Sequence, residues 1–150
     1  MNVGMAFLLI FSIIVIILVL VFGSDVMKDF TCMGSEAKTV KAMKDLESIV
    51  GDLYLQAEGS SDLFDLNLPG DAEFCFVDPD TPERNPAGNW KPDPVYVTLV
   101  EENGYTLWYT HCTGKDGYVM RRIQPTSNFC VKSTELYLEN KGSFISIEEA

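Results

Sequence analysis

The sequence predicts an α+β protein: an N-terminal transmembrane helix, then an amphipathic helix packed on an antiparallel β-sheet or small sandwich of about six to eight short strands. Three observations predict it. Positions 3–22 carry no charge, positions 35–59 repeat apolar residues at three- and four-residue steps, and from position 60 the repeat shortens to two. With 150 residues in all, there is room for one folded domain and one apolar segment. The chain divides accordingly into an anchor (1–23), a juxtamembrane connector (24–34) and an α+β domain (35–150).

The anchor is the simplest element to justify. Between Val3 and Phe22 the Leu, Ile, Val and Phe content is broken chiefly by Gly4, Ala6 and Ser12, and at ~1.5 Å of rise per residue the helix covers roughly the 30 Å hydrocarbon thickness of a bilayer. A cleaved signal peptide is the alternative, with Val21 and Gly23 as small residues before a cut. It is disfavoured because no Lys or Arg precedes the run, and because the run exceeds the usual apolar region of about 7–15 residues. The reading is therefore a retained anchor, with the lipid bilayer as partner of positions 1–23.

Two arguments about sidedness oppose each other. Lys28, Lys38, Lys41 and Lys44 follow the span, which by the positive-inside bias places the domain in the cytoplasm. Four cysteines in a small acidic domain instead fit an oxidising compartment. The lysines are interspersed with Asp25, Asp29, Glu36 and Asp45, so the cysteines decide: the domain is expected outside the cytoplasm. All 22 acidic and 11 basic residues lie after the span, leaving a net charge of −11. Such a surface repels phosphate backbones, which excludes nucleic acid as a partner class.

Positions 24–34, "SDVMKDFTCMG", lie between Gly23 and a second helical pattern, and Gly23 and Gly34 predict a break there. In the following "SEAKTVKAMKDLESIVGDLYLQAEG", Ala42, Met43, Leu46, Ile49, Val50, Leu53 and Ala57 form a wide apolar stripe, with Ser35 as N-cap and Gly59 as stop. Gly51 falls on the polar side. The stripe is expected to pack on the sheet formed by the rest of the chain.

Strand signals follow. "LFDLNLPGDAEFCFVD" reads as a hairpin that turns at Pro69-Gly70-Asp71, with Phe64, Leu66 and Leu68 on one side of its first strand. Positions 79–94 carry five of the seven prolines and read as an exposed loop, with Trp90 its one large apolar side chain. "VYVTLVEENGYTLWYTHC" predicts a second hairpin, because Asn103-Gly104 suits a two-residue type I′ turn. That register places Leu99 opposite Trp108 and Val95 opposite Cys112. On the other face Val100 meets Leu107, Thr98 meets Tyr109 and Tyr96 meets His111. A turn at 113–117 leads to short strands in "GYVMRRI", "NFCVKS", "ELYLE" and, after a turn at 140–142, "SFISIE".

Candidate chemistry is sparse. Pairing Cys112 with Cys130 and Cys32 with Cys75 would fasten the late sheet and tie the helix entrance to the first hairpin, although four cysteines allow three connectivities. There is no C-x-x-C pair for zinc, and His111 precedes Cys112 on the opposite face of a strand. The single histidine lacks an adjacent nucleophile motif. Asp78, Asp80 and Glu83 make a carboxylate cluster without the EF-hand glycine, read as a solvated acidic loop rather than a calcium site. No metal, cofactor or catalytic residue is assigned.

Three stretches, "LNLPGDAEFCFVD", "NFCVKS" and "LYLENKGSFISIE", resemble small, largely uncharacterised single-span archaeal proteins with a β-rich domain. The architecture is also similar to that of type IV pilins and their minor relatives, whose apolar helix both anchors the subunit and drives assembly. Gly4-Met5 stands where a prepilin cleavage point would fall, while Leu9 departs from the glutamate of many bacterial pilins. The expected break at Gly23 and Gly34 makes a monomeric anchor the simpler reading.

The function expected is a membrane-anchored, non-catalytic, extracytoplasmic surface or interaction domain; the alternatives are a pilin-like filament component and, third, a hydrolase using the acidic loop. Trp90, Tyr96, Val100, Leu107 and Tyr109 are the candidate contacts for a protein partner at the cell surface.

Overall fold

Residues 3–54 precede every proline of the chain, the first being Pro69. Internal glycine weakens a helix by about 1 kcal/mol, whereas proline breaks it. In the computed structural model, which describes residues 3–70, 72–82, 94–112 and 114–150, α1 accordingly runs unbroken over Val3–Tyr54. This corrects the expected break: Gly23 and Gly34 are both helical. Ser35 is likewise no N-cap but an interior residue whose carbonyl accepts the Thr39 hydroxyl at 3.0 Å. Ser12 and Thr31 bond back to Leu8 and Met27 in the same way, which satisfies these hydroxyls at a slight cost to the helix.

The chain divides into two units, Met1–Gly34 and Ser35–Ala150. In the first, α1 is long and apolar enough to cross a membrane, and its most apolar window has none of its residues buried. In the second, Met43, Leu46, Val50 and Leu53 are buried, and Ala42 and Ile49 pack against them, which is the expected stripe. Ala57 falls outside it, because the helix ends at Tyr54, before the expected stop at Gly59.

Among the described residues, eight strands form two four-stranded sheets. The first contains β1 (Ser61–Asn67), β7 (Ser133–Asn140), β8 (Ile145–Glu149) and β5 (Ile123–Pro125), in that order. The second contains β4 (Gly114–Tyr118), β3 (Leu107–His111), β2 (Phe74–Phe76) and β6 (Phe129–Val131). All neighbours are antiparallel except β5 and β8. Leu66, Leu136, Leu138, Ile145 and Ile147 from the first sheet and Phe74, Phe76, Leu107, Phe129 and Val131 from the second share one core with the apolar face of α1. The other face of the second sheet is covered by α2 (Pro94–Asn103): Val77, Val100 and Trp108 are buried there beside Tyr96, Leu99 and Tyr105. A strand covered on both sides loses its alternation. All three residues of β2 are buried for that reason.

Three expected elements are replaced. The first hairpin does not exist, since β1 pairs with β7 and β2 pairs with β3 and β6. The link through Pro69 and Gly70 crosses between sheets, and the Leu68 N–H goes to Ser133 Oγ at 3.3 Å. The second hairpin is also absent: "VYVTLV" is helical. Pro94 occupies the first helical position, where its missing N–H is no loss, and Gly104 (φ +65°) ends the helix with its N–H bonded to the Val100 carbonyl at 2.8 Å. Asn103-Gly104 is thus a helix C-terminus. Lys115–Gly117 belong to β4 rather than to a turn, and the hairpin reverses between His111 and Gly114.

Among the described residues, the buried side chains of Thr39, Thr106, Asn128 and Asn140 have partners, while Trp108 Nε1 is buried without one. Asn140 Nδ2 donates to the Leu53, Tyr54 and Gln56 carbonyls at the end of α1, and its Oδ1 accepts the Gly142 N–H at 2.7 Å. Asn128 Oδ1 accepts the Asp78 N–H at 2.8 Å, and its Nδ2 donates to the Thr81 and Pro82 carbonyls. The Thr106 hydroxyl exchanges two hydrogen bonds with the Met120 backbone. These bonds tie loops to sheet ends where no ladder continues.

The Tyr118 hydroxyl donates to Glu47 Oε2 at 2.9 Å, which raises its pKa, with partial burial adding to the rise. The folded state therefore favours the neutral phenol. The stabilisation is complete below the ordinary value near 10 and is lost as pH rises through the raised folded value. Tyr118→Phe is expected to lower stability by about 0.5–1 kcal/mol at pH 7, the exposure of the pair limiting the effect. It should also flatten the alkaline fall of stability, read from denaturant midpoints between pH 8 and 11. An unchanged alkaline slope in the variant would remove the assigned role of this hydrogen bond.

Candidate functional site

Along α1 runs a long exposed apolar stretch. From Phe7 to Phe22 every large apolar side chain is 40–70% exposed. A monomeric soluble surface rarely carries an apolar patch of this extent, so it marks an interaction with lipid or protein. The exposure does not stop where charge begins: Val26, Met27, Phe30 and Met33 are 50–73% exposed.

In the second unit the disulfide pattern departs from expectation. Cys75 and Cys130 are bonded to each other, which overturns both expected pairs. The reason is topological: β2 lies beside β6 rather than in a hairpin with β1, and the register puts Cys75 directly opposite Cys130. Cys32 and Cys112 are disulfide-bonded as well, and no cysteine is free. Glu73 lies near the Cys75 and Cys130 sulfurs. Because those sulfurs are bonded to one another, they offer no thiolate to a metal.

The candidate contacts scatter. Val100 and Leu107 are fully buried, one on the inner face of α2 and one in the main core, so they are packing residues and no partner can reach them. The error follows from the strand reading of "VYVTLV", which put them on an exposed hairpin face. Tyr96 is partly buried with its ring 5.1 Å from that of Trp108, and Lys115 Nζ stands 5.8 Å from its centroid. Tyr109 is partly buried, its ring 6.5 Å from Phe74. Its phenol is held above the ordinary range, by burial first and then by Asp116 and Glu36. Trp90 lies outside the described residues, as do Glu83 and the side chain of His111.

The acidic loop can be judged at Asp78. Its Oδ1 accepts the Asp80 N–H at 3.0 Å, and its Oδ2 accepts the Thr81 hydroxyl and Gln124 Nε2, both at 3.2 Å. These bonds fold the loop back onto β5. In these contacts Asp78 serves as a structural clasp between the loop and β5.

One open groove of about 430 Å³ lies between α1 and β1, walled by Lys38, Lys41 and Asp45 on the helix and by Phe64, Asp65 and Pro69 opposite. Sequence reasoning missed it, because it arises where an edge strand meets a helix distant in the chain. It missed Val26, Phe30 and Met33 for another reason. Their helical spacing is visible in the sequence, but it falls in a segment read as a break. Comparison with protein-family models, curated proteins and solved structures finds no match to this chain.

Proposed function

We propose that this chain is a single-pass membrane protein whose N-terminal helix holds a disulfide-bonded α+β domain outside the cytoplasm, where the domain serves as a non-catalytic surface or interaction module. The observation that carries the reading is the apolar part of α1, whose most apolar window has none of its residues buried. The bilayer is the solvent such a helix fits, since its backbone bonds are internal and its side chains are apolar. The disulfide state of all four cysteines supports an oxidising side.

The test combines extraction and labelling. The protein should stay with membranes at alkaline pH, and its cysteines should react with an impermeant thiol reagent in intact cells only after reduction. Release into the supernatant, or labelling that needs permeabilisation but no reductant, would contradict the reading.

A second reading, a pilin-like filament component, gains from one observation. The expected break that spoke against it is absent, and α1 is continuous over Val3–Tyr54. A mature N-terminus at Met5 in the isolated protein supports this reading; an intact Met1 opposes it.

A further inference from the structure

We propose that the membrane-proximal part of α1 is a self-association helix through which two copies of this chain pack in parallel, in register, along the seam Ile16, Val19, Gly23, Val26, Phe30 and Met33. The inference rests on the membrane reading above. These positions are separated by three, four, three, four and three residues, the 3.5-residue repeat that keeps one face of a helix against a like partner. In the span the repeat is hidden, because every neighbour is apolar. Beyond Phe22 it becomes visible: Val26, Phe30 and Met33 fall on the seam and Lys28 and Thr31 off it, with the apolar Met27 bordering it beside Val26.

The choice of a second copy over lipid is a matter of reach. Phe22 ends the uncharged run, and Phe30 and Met33 lie 8 and 11 positions further on, or roughly 12 and 17 Å at the helical rise. The headgroup region extends only about 5–8 Å past the hydrocarbon on each side, and the usual tilt of about 20° shortens the projection by less than a tenth. Lipid therefore covers Val26 but not Phe30 or Met33, which remain 70% and 66% exposed. A partner with the same apolar seam at the same height above the membrane is another copy of the chain.

Membrane insertion also sets the geometry. All copies enter with the same sidedness, so their helices are parallel, and a two-fold pair along the membrane normal brings each seam residue against itself. Gly23 has open space where a side chain would stand, which lets two backbones approach closely at the membrane boundary. The repeat covers only two and a half heptads, short for a coiled coil in water. Confinement of both helices to one bilayer supplies the effective concentration that a soluble pair lacks.

The experiment uses the full chain in membranes. Single cysteines are introduced as Phe30→Cys, Met33→Cys, Lys28→Cys and Thr31→Cys, and treated with a short bismaleimide; the native cysteines are all bonded. Phe30→Cys and Met33→Cys should give a dimer band several-fold stronger than the two off-seam positions. Phe30→Asp should reduce the Met33→Cys dimer several-fold, with the native disulfides intact on a non-reducing gel to show that the domain has folded. Equal or absent cross-linking at all four positions overturns the proposal. So does cross-linking between mixed positions without self-pairs, the mark of a staggered filament. Alkaline extraction of the same membranes separates the two readings: a retained protein without position-selective cross-links sinks only the dimer, whereas a released one sinks the anchor and the dimer with it.

Discussion

Replacing Cys75 and Cys130 together by alanine is expected to lower the unfolding free energy of the domain by about 4 kcal/mol, the chain-entropy value for a closed loop of this length. The two cysteines are 55 residues apart in sequence, and the bridge removes much of the freedom of that loop in the unfolded chain. In the folded state it joins residues that the β2–β6 ladder already pairs, so the loss is carried by the unfolded ensemble. The loop encloses α2, β3, β4 and β5, and all of these gain freedom in the unfolded state when the bridge is removed. The measurement is the urea midpoint of the full chain in detergent by tryptophan fluorescence, without reductant so that Cys32 and Cys112 stay bonded. A loss under 1 kcal/mol would show that the unfolded chain stays compact around this loop without the bond.

Asn140→Leu is expected to cost about 3 kcal/mol, because a buried group whose partner is deleted loses its hydrogen bond without regaining water. Asn140 is 1% exposed. Its amide reaches the carbonyls of Leu53, Tyr54 and Gln56 at 2.9, 3.4 and 3.1 Å; the first two lie in the last turn of α1, whose carbonyls a helix cannot satisfy internally, and Gln56 follows it. Leucine fills a similar volume, so the change isolates the hydrogen bonds from the packing. Asn140→Asp keeps the acceptor for the Gly142 N–H and removes the donor. It should be at least as destabilising, since a carboxylate would then face those carbonyls. Near-wild-type stability of either variant in the same urea assay would show that α1 is held at its C-terminal end by apolar packing alone.

Cys75, Cys130 and Asn140 show where sequence reasoning stops. Residues 145–149 and the inward Leu136 and Leu138 were legible, because one face of their sheet is buried and the other is not, and that asymmetry writes a period of two. β2 was readable as a strand, but its partners were not: it is buried on both faces and carries no pattern that names a neighbour. Cysteine pairing failed with it, since the pairing is a consequence of which strands lie side by side. The strand reading of "VYVTLV" rested on Asn103-Gly104 as a type I′ turn, a local signal that context overrides. Context here is an uncovered sheet face that Tyr96, Leu99 and Val100, three and four residues apart, can cover only as a helix.

By itself the sequence determined the apolar N-terminal helix, the face that α1 buries and the strands with one wet side, because each is set by local repetition against a single boundary between apolar and polar surroundings. Tertiary structure alone decided the split of β1 and β2 between two sheets, the helical state of residues 94–103, the Cys75–Cys130 bond and the seating of Asn140 beneath the end of α1. Each of those joins segments far apart in the chain. Their energy comes from surfaces that meet only after folding, and a short window of residues carries no record of what it will face.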